Sequence, residues 1–583
     1  MRTPGGARRV VTALMAGAAI VGCAPQPPPL GAPRITPPSA STPLVREVVL
    51  GVDRLIGGFN PHTLADLTPI SEAVAGLLLP SAFHQTPTGQ WILDRTLLTS
   101  AEVTATTPFT VTYRIRRNAQ WSDITPIAAE DFGYLAGQMR TQPGVVDSAG
   151  YQLIDQVISR DGGKTAEVVF TRPYAGWRTL FRHLLPAHLL KDAPGGWSKA
   201  LDAGLPVSGG PFAMTSVDRS RGEIVLERND RYWDTPTQVG HIRLRQGSEA
   251  ALVEALRTGG MQGALFGRPN AITESLLRAA DLGVSPTVVP QPVLVSVLLR
   301  PASRVLSDQR MRTAVAAVLD RASLIATGVG SGPSAALRAD SEIIAPSAPD
   351  YHPTAPTTGV PVVPDPDAAR RLLTDAGYTR GPAGWQRAGQ PLRLVVAAPA
   401  NREPYGTLAA RVVAQLRTAG IDAELREVDP DELFSTLLGP SSDAGVAVPP
   451  RGGTAQVLPA SVATPDIDIA VLPQPAAGHP ATQLESWYGC PLVVPARLAP
   501  APPNPAQFCD LTLQPMIERA LIQNDPVEAV SPTLEAALWE RAVTIPLYQP
   551  ASLLITNGQL PDVAPGTPLE GPLDGAARWQ LRP

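Results

Sequence analysis

The start of this chain constrains its fold more than any other feature. Arg2, Arg8 and Arg9 lead into an uncharged, mostly apolar run from Val10 to Val21. A helix needs roughly 20 residues to cross a hydrocarbon core of about 30 Å, and this run is too short. It reads as an export signal rather than a span. No later stretch is apolar and long enough to span, so the rest is expected to fold outside the cytoplasm. Removing residues 1–22 from 583 leaves 561 residues, too many for one hydrophobic core. Two or more domains or lobes are therefore expected.

The run ends Ile20-Val21-Gly22-Cys23. Branched aliphatics and a small residue before cysteine resemble the lipobox of bacterial lipoproteins. The resemblance implies cleavage before Cys23 and lipid on Cys23, with a plain signal peptide as the alternative. Buried methylenes contribute about 0.8 kcal/mol each, and stable anchoring needs more than one chain. Lipoprotein modification supplies several. Ala24 to Pro43 is rich in Pro, Ser and Thr and is expected to be an extended spacer, so that residues 23–45 lift the folded part off the membrane.

The three leader arginines leave with the signal, so 48 basic residues become 45 against 52 acidic ones, a net −7. No basic run survives. Nucleic acid is therefore excluded as a partner, and bulk attraction to anionic lipid is disfavoured. Cys490 and Cys509 remain after Cys23. In an exported protein they suit a disulfide, closing a loop of about 20 residues worth on the order of 3 kcal/mol. Zinc is the rival reading, but with only His479 nearby the pair makes a poor site.

Strand-like and helix-like segments alternate, which points to an α/β architecture. Expected strands are Glu47–Val52, Phe109–Arg116, Ala166–Thr171, Glu223–Glu227, Leu392–Ala397 and Asp422–Val428. Expected helices are Glu249–Arg257, Gln309–Leu319, Asp367–Ala376 and Thr407–Thr418, with Asp367 capping the third and Gly377 ending it. Ala345–Pro366, Gly439–Pro459 and Pro491–Pro505 read as loops.

No GxSxG, HExxH, CxxC or phosphate-loop motif occurs. Gly328–Gly332 is glycine-rich but lacks the strand-then-helix context of a dinucleotide site, so it reads as a loop. Glu130 and Asp131 read as acids at a helix start. His183 and His188 read as core or surface histidines rather than a metal pair. No nucleophile, base and orienting group assemble, so no enzyme, cofactor or metal is expected.

Phe109–Arg116 leads into Trp121-Ser122-Asp123-Ile124-Thr125-Pro126 and then Glu130-Asp131-Phe132. This resembles the signature of family 5 extracellular solute-binding proteins, with Ile124 where the family has glycine. Pro206–Phe212, Glu227-Arg228-Asn229 with Tyr232-Trp233, Arg312, Asp320-Arg321, Ala376-Gly377-Tyr378 and Ile545–Tyr548 fit further family motifs in order, over about residues 46–556. The resemblance implies two α/β lobes of the type II periplasmic-binding-protein fold, with the extra subdomain of the peptide-binding cluster and a ligand cleft between lobes. Lobe I would take residues 46–285, lobe II 286–544, and 545–583 would return to complete lobe I. Family members also carry a disulfide where Cys490 and Cys509 stand.

Peptide binders of the family place an aspartate for the peptide amine in a Gly-Trp motif. Here the matching stretch, Leu472–Pro480, holds no acid and no tryptophan. An uncompensated amine in a dry cleft costs several kcal/mol. A narrower resemblance, carried by Asp66–Ile70, Leu79–Phe83, Thr141–Asp147 and Tyr488–Pro491, points to an actinobacterial lipoprotein of this family. It implies a non-catalytic glycolipid binder, for a phosphatidylinositol mannoside of monoacyl tetramannoside type, that regulates phosphatidylinositol mannoside and lipoarabinomannan synthesis. An importer receptor for peptides or oligosaccharides is the alternative. Partners would be the cleft ligand, the membrane through the anchor, and membrane mannosyltransferases or an importer's permease. Candidate ligand contacts are Phe59 and Asn60 after the first strand, Ser208 and Gly209 on the turn, and Trp487 and Tyr488 before the cysteine. Each also fits core packing.

Overall fold

The computed structural model describes residues 46–582 except Ile56, 440–466, 493–494, 496–497, 499–500, 523–526 and 561–562. The leader, Cys23, the spacer and nearly all of the Gly439–Pro459 loop lie outside the described residues.

Two mixed sheets organise the chain. In the first, seven strands run in the order Thr287–Pro290, Ala551–Thr556, Gly263–Phe266, Glu47–Val52, His241–Gln246, Glu223–Arg228 and Phe212–Asp218. Glu47–Val52 lies in the middle and pairs in parallel with both neighbours. In the second, five strands run in the order Asp422–Val428, Arg393–Pro399, Ile469–Pro475, Val293–Leu299 and Thr544–Tyr548. Val293–Leu299 reads VLVSVLL and is buried along its whole length. Such a run has no polar face to give to water, so it sits inside the sheet between two partners. A four-stranded antiparallel sheet, built from Leu98–Thr106, Phe109–Ile115, Thr165–Phe170 and Ile154–Arg160, forms the extra subdomain. The described residues thus form a two-lobed α/β fold.

Pairing changes sheets at Gln291–Pro292 and again at Gln549–Pro550, a few residues beyond the 285 and 545 taken from sequence. The two crossings are bonded to each other. Gln291 N donates to Pro550 O at 2.8 Å, and the fully buried Gln549 donates Nε2 to Gln291 O at 2.8 Å.

The motif segments prove to be architecture. Trp121 is fully buried, and its Nε1 donates to Asp131 Oδ2 at 3.3 Å. Asp131 also accepts from Ala128 N and Ala187 N, closing the start of helix Ala129–Thr141. Ile124, where the family has glycine, sits at φ 72 in the left-handed region, which strains a β-branched residue. Cys490 and Cys509 are joined in a disulfide.

Two expectations need correction. The helix after the long loop is Pro366–Asp375, and Asp365, not Asp367, caps it by accepting from Ala368 N at 2.8 Å. Proline takes the first helical position, so the cap lies two residues before the one expected. Gly328 and Val329 are not loop but the last turn of helix Arg321–Val329, which ends at Gly330 with φ 54. Gly328 is required there, since a Cβ would lie 2.5 Å from the Tyr548 hydroxyl.

Candidate functional site

The lobes touch at several points. Tyr174 and Thr482 share a hydroxyl hydrogen bond at 2.7 Å, Ala149 N donates to Ser486 Oγ at 3.0 Å, and Arg172 pairs with Glu518 at 2.9 Å. Arg402 of the second lobe is buried and donates to Ala65 O and Leu67 O of the first.

Between these contacts, beside the crossings, lies a cavity of about 340 Å³. Gln291, Pro292 and Pro550 form its back. Four helix starts meet in its walls: Thr68 before Pro69–Leu78, Ser248 before Glu249–Arg257, Asn270 before Ala271–Ala280, and Pro404 before Tyr405–Thr418. Thr68, Ser248 and Asn270 cap their own helices through side-chain oxygens, and Pro404 cannot. Helix starts carry partial positive charge, so four of them favour an anion. Arg54 and Arg268 add exposed guanidinium groups. Three acids share the lining with these arginines: Asp53, Glu249 and Glu403. Asp53 Oδ2 accepts from Gly267 N at 2.9 Å and Arg268 N at 3.2 Å, while burial raises its pKa. Glu403 lies 4.0 Å from Arg268, with a buried Oε2 that has no hydrogen-bond partner.

A smaller chamber of about 80 Å³ lies deeper between the lobes and shares Leu67 and Pro292 with the first cavity. Its wall holds His62, Glu72, Trp91, Asp147, Tyr151, Arg182 and His183 from lobe I, and Gly478, His479, Thr482 and Gln483 from lobe II. Burial moves these groups toward neutrality. Glu72 rises to about 7 and Asp147 to about 6, while His62 and His479 fall to about 4. His183 falls well below its ordinary value, through burial and then the charge of Arg182.

The stretch Leu472–Pro480 has no acid of its own, but lobe I brings one to it. Asp147 Oδ2 lies where a Cβ on Gly478 would be 2.6 Å away. Gln483 steadies that turn, its carbonyl oxygen accepting from Ala476 N, Ala477 N and Gly478 N at 3.2, 2.9 and 2.7 Å. The stretch itself holds no acid, as the sequence shows; the carboxylate beside it comes from more than three hundred positions earlier in the chain, where local pattern cannot show it.

None of the six sequence candidates lines either cavity. Phe59 is core. Asn60 donates to Trp197 O and accepts from His62 N, which fixes a turn. Ser208 is fully buried, bonded to Leu78 O and Phe212 O, and Gly209 packs on Pro80 and Ile127. Trp487 donates to Thr544 Oγ1 at 3.2 Å, and Tyr488 to Glu342 Oε2 at 2.6 Å, inside lobe II. Aromatic scarcity made them visible in sequence; packing engages their polar atoms. The arginines and capping residues of the large cavity carry no sequence signal beyond helix starts.

Residues 96–487 match the bacterial extracellular solute-binding proteins of family 5, middle region. Over 99% of both chains, this one is 36% identical to the probable monoacyl phosphatidylinositol tetramannoside-binding protein LpqW of Mycobacterium tuberculosis. It is 29% identical to the oligopeptide-binding protein OppA of Mycobacterium bovis, over 61% of this chain and 60% of that one. In structure it is similar to the oligopeptide-binding protein AppA of Bacillus subtilis, solved with a nonapeptide. That likeness has a TM-score of 0.68 at 14% identity and covers 92% of this chain and 99% of the other.

Proposed function

This chain belongs to the bacterial extracellular solute-binding proteins of family 5, and from that premise we propose that it binds a phosphatidylinositol mannoside, of the monoacyl tetramannoside type, in the cleft between its lobes. Binding is without turnover. Lipid on Cys23 holds the cleft at the outer face of the membrane, within reach of lipid headgroups, and occupancy regulates the balance between these mannosides and lipoarabinomannan. One observation carries the reading: four helix starts and two exposed arginines surround a cavity closed by both lobes. That lining suits the phosphate of a lipid headgroup, and the likeness to LpqW along the whole chain supplies the mannoside.

The test is binding of phosphatidylinositol tetramannoside in mixed micelles by the full-length protein, against phosphatidylglycerol as control. We expect preference for the mannoside and at least tenfold weaker binding when Arg54 and Arg268 are both changed to Ala, since charge-assisted bonds contribute roughly 1.5–3 kcal/mol each. Equal binding of both lipids, unmoved by those substitutions, would discard the reading. Cys23→Ala is expected to release the protein from membranes and disturb the glycolipid balance.

A second reading, an importer receptor for peptides, is favoured by Asp147 beside Gly478, a buried carboxylate where an ammonium could dock. Peptide carried through purification, seen by mass spectrometry, would establish it.

A further inference from the structure

Outside the cleft, lobe I gathers one histidine and three carboxylates. His84 stands on the strand Phe83–Gln85, which pairs with Trp91–Leu93. Its ring lies between two acids: Nε2 is 3.2 Å from Asp94 Oδ2, and Nδ1 is 3.2 Å from Glu570 Oε2. Asp574 opens the short helix Asp574–Arg578 on the returning end of the chain. His84, Glu570 and Asp574 each bring one ligand atom to within 4.8 Å of the other two. His84 and Glu570 are 486 positions apart, so no spacing motif marks them.

The surroundings prepare each group. Asp94 Oδ1 accepts from Thr96 N at 2.8 Å and from Thr96 Oγ1 at 2.6 Å, which aims Oδ2 at the ring. With Nε2–H donating to Asp94, the lone pair of Nδ1 is left for a metal; a carboxylate behind a histidine fixes the tautomer in this way. Glu570 is buried, and its Oε1 accepts from Gln85 N at 2.9 Å, which turns Oε2 toward Nδ1. Asp574 is exposed, so its carboxylate can turn and an ion has a way in from solvent. Without a metal, the ring bridges its two acids as an imidazolium. Burial opposes that charge, but the bonds to Asp94 and Glu570 outweigh it and push the pKa up to about 10.

Zinc bonds of about 2.0–2.1 Å put neighbouring corners of a tetrahedron about 3.3 Å apart. The 3.2 Å between Nδ1 and Oε2 already matches that edge. Asp574 supplies a third corner and water the fourth. An imidazole nitrogen among so few ligands suits zinc and its neighbours, whereas calcium and magnesium want six or more oxygens.

We propose that His84, Glu570 and Asp574 bind one divalent transition ion of the zinc class, with Asp94 as the positioning residue behind the histidine. The ion fastens the returning end of the chain to lobe I. Beside it, Arg182 donates to Leu569 O at 2.8 Å and lines the inner chamber. The site is independent of the ligand proposed for the cleft.

The probe is zinc chloride, added to full-length protein stripped with a chelator, with calcium and magnesium chlorides as controls. Bound metal is counted by equilibrium dialysis, and the visible absorption of cobalt(II) in place of zinc reports the geometry. We expect one zinc per chain, no calcium or magnesium, a tetrahedral cobalt spectrum, and a higher unfolding midpoint with zinc. His84→Gln and Asp574→Ala should each weaken zinc at least tenfold and abolish the cobalt spectrum. Asp94→Asn should weaken zinc roughly tenfold and shift the cobalt spectrum while the count stays at one. Should His84→Gln unfold, the exposed Asp574→Ala still decides. Failure of the wild-type protein to bind zinc would overturn the proposal and leave His84 as a bridge between two acids. Zinc held equally by wild type and Asp574→Ala would overturn it in favour of other surface groups, and calcium or magnesium held in place of zinc would overturn the class of metal.

Discussion

The two cavities of the cleft are built in opposite ways. In the large one, main chain dominates: four helix starts line it, three of them capped by their own side chains, and Asp53 accepts two backbone N–H groups. In the small one, side chains dominate, and burial moves them toward neutrality. The first presents chiefly a field, from its helix starts and arginines. The second presents chiefly side-chain groups. A binding protein can draw attraction from the one and discrimination from the other.

Arg402 marks the boundary of the large cavity and gives the largest expected effect. It is 6% exposed and donates across the lobes to Ala65 O and Leu67 O. Arg402→Ala leaves buried carbonyls unmet and should lose about 2–4 kcal/mol in chemical denaturation. A smaller loss than that of Arg268→Ala would mean the lobes are not held there.

Glu72 tests the small chamber next. Its folded pKa of about 7 lies above the ordinary 4.5 because burial disfavours the charged form. The penalty is absent below the ordinary value, grows as pH rises toward 7, and is constant above. Glu72→Gln should therefore raise stability by about 1–3 kcal/mol at pH 8 and leave it unchanged at pH 4. A gain at both pH values would show that the charge is not the cause.

Smaller still, Asn270→Ala removes a cap that accepts from Ile272 N and Thr273 N, and should cost about 1 kcal/mol in thermal unfolding. Arg268→Ala closes the series. With its side chain 42% exposed, its removal should change stability by less than about 0.5 kcal/mol while weakening anionic ligand binding. A large stability loss there would make the cavity's arginines structural and erase the contrast between the cavities.

Local pattern made much of the frame legible. Glu47–Val52, Glu249–Arg257 and Asp422–Val428 form with the bounds expected from alternation and helical spacing. Asp131 holds the helix start its position implies, and the tryptophan before it supplies a further bond. The capping error at Asp365 came from two aspartates flanking a proline, where only the backbone turn decides which side chain reaches back. The candidate contacts lie away from both cavities for a deeper reason. Residues that stand out in a sequence poor in aromatics are those the cores need most, and Trp487 and Tyr488 are engaged inside lobe II.

By itself, then, the sequence determined the secondary elements, the family resemblance and the expectation of an exported, anchored start, because these depend on residues near one another in the chain. Only the tertiary structure decided what the cleft contains. It set Asp147 against Gly478 and gathered four helix starts around one space. Such features join residues hundreds of positions apart, and their chemistry depends on burial and on neighbours that local sequence cannot name.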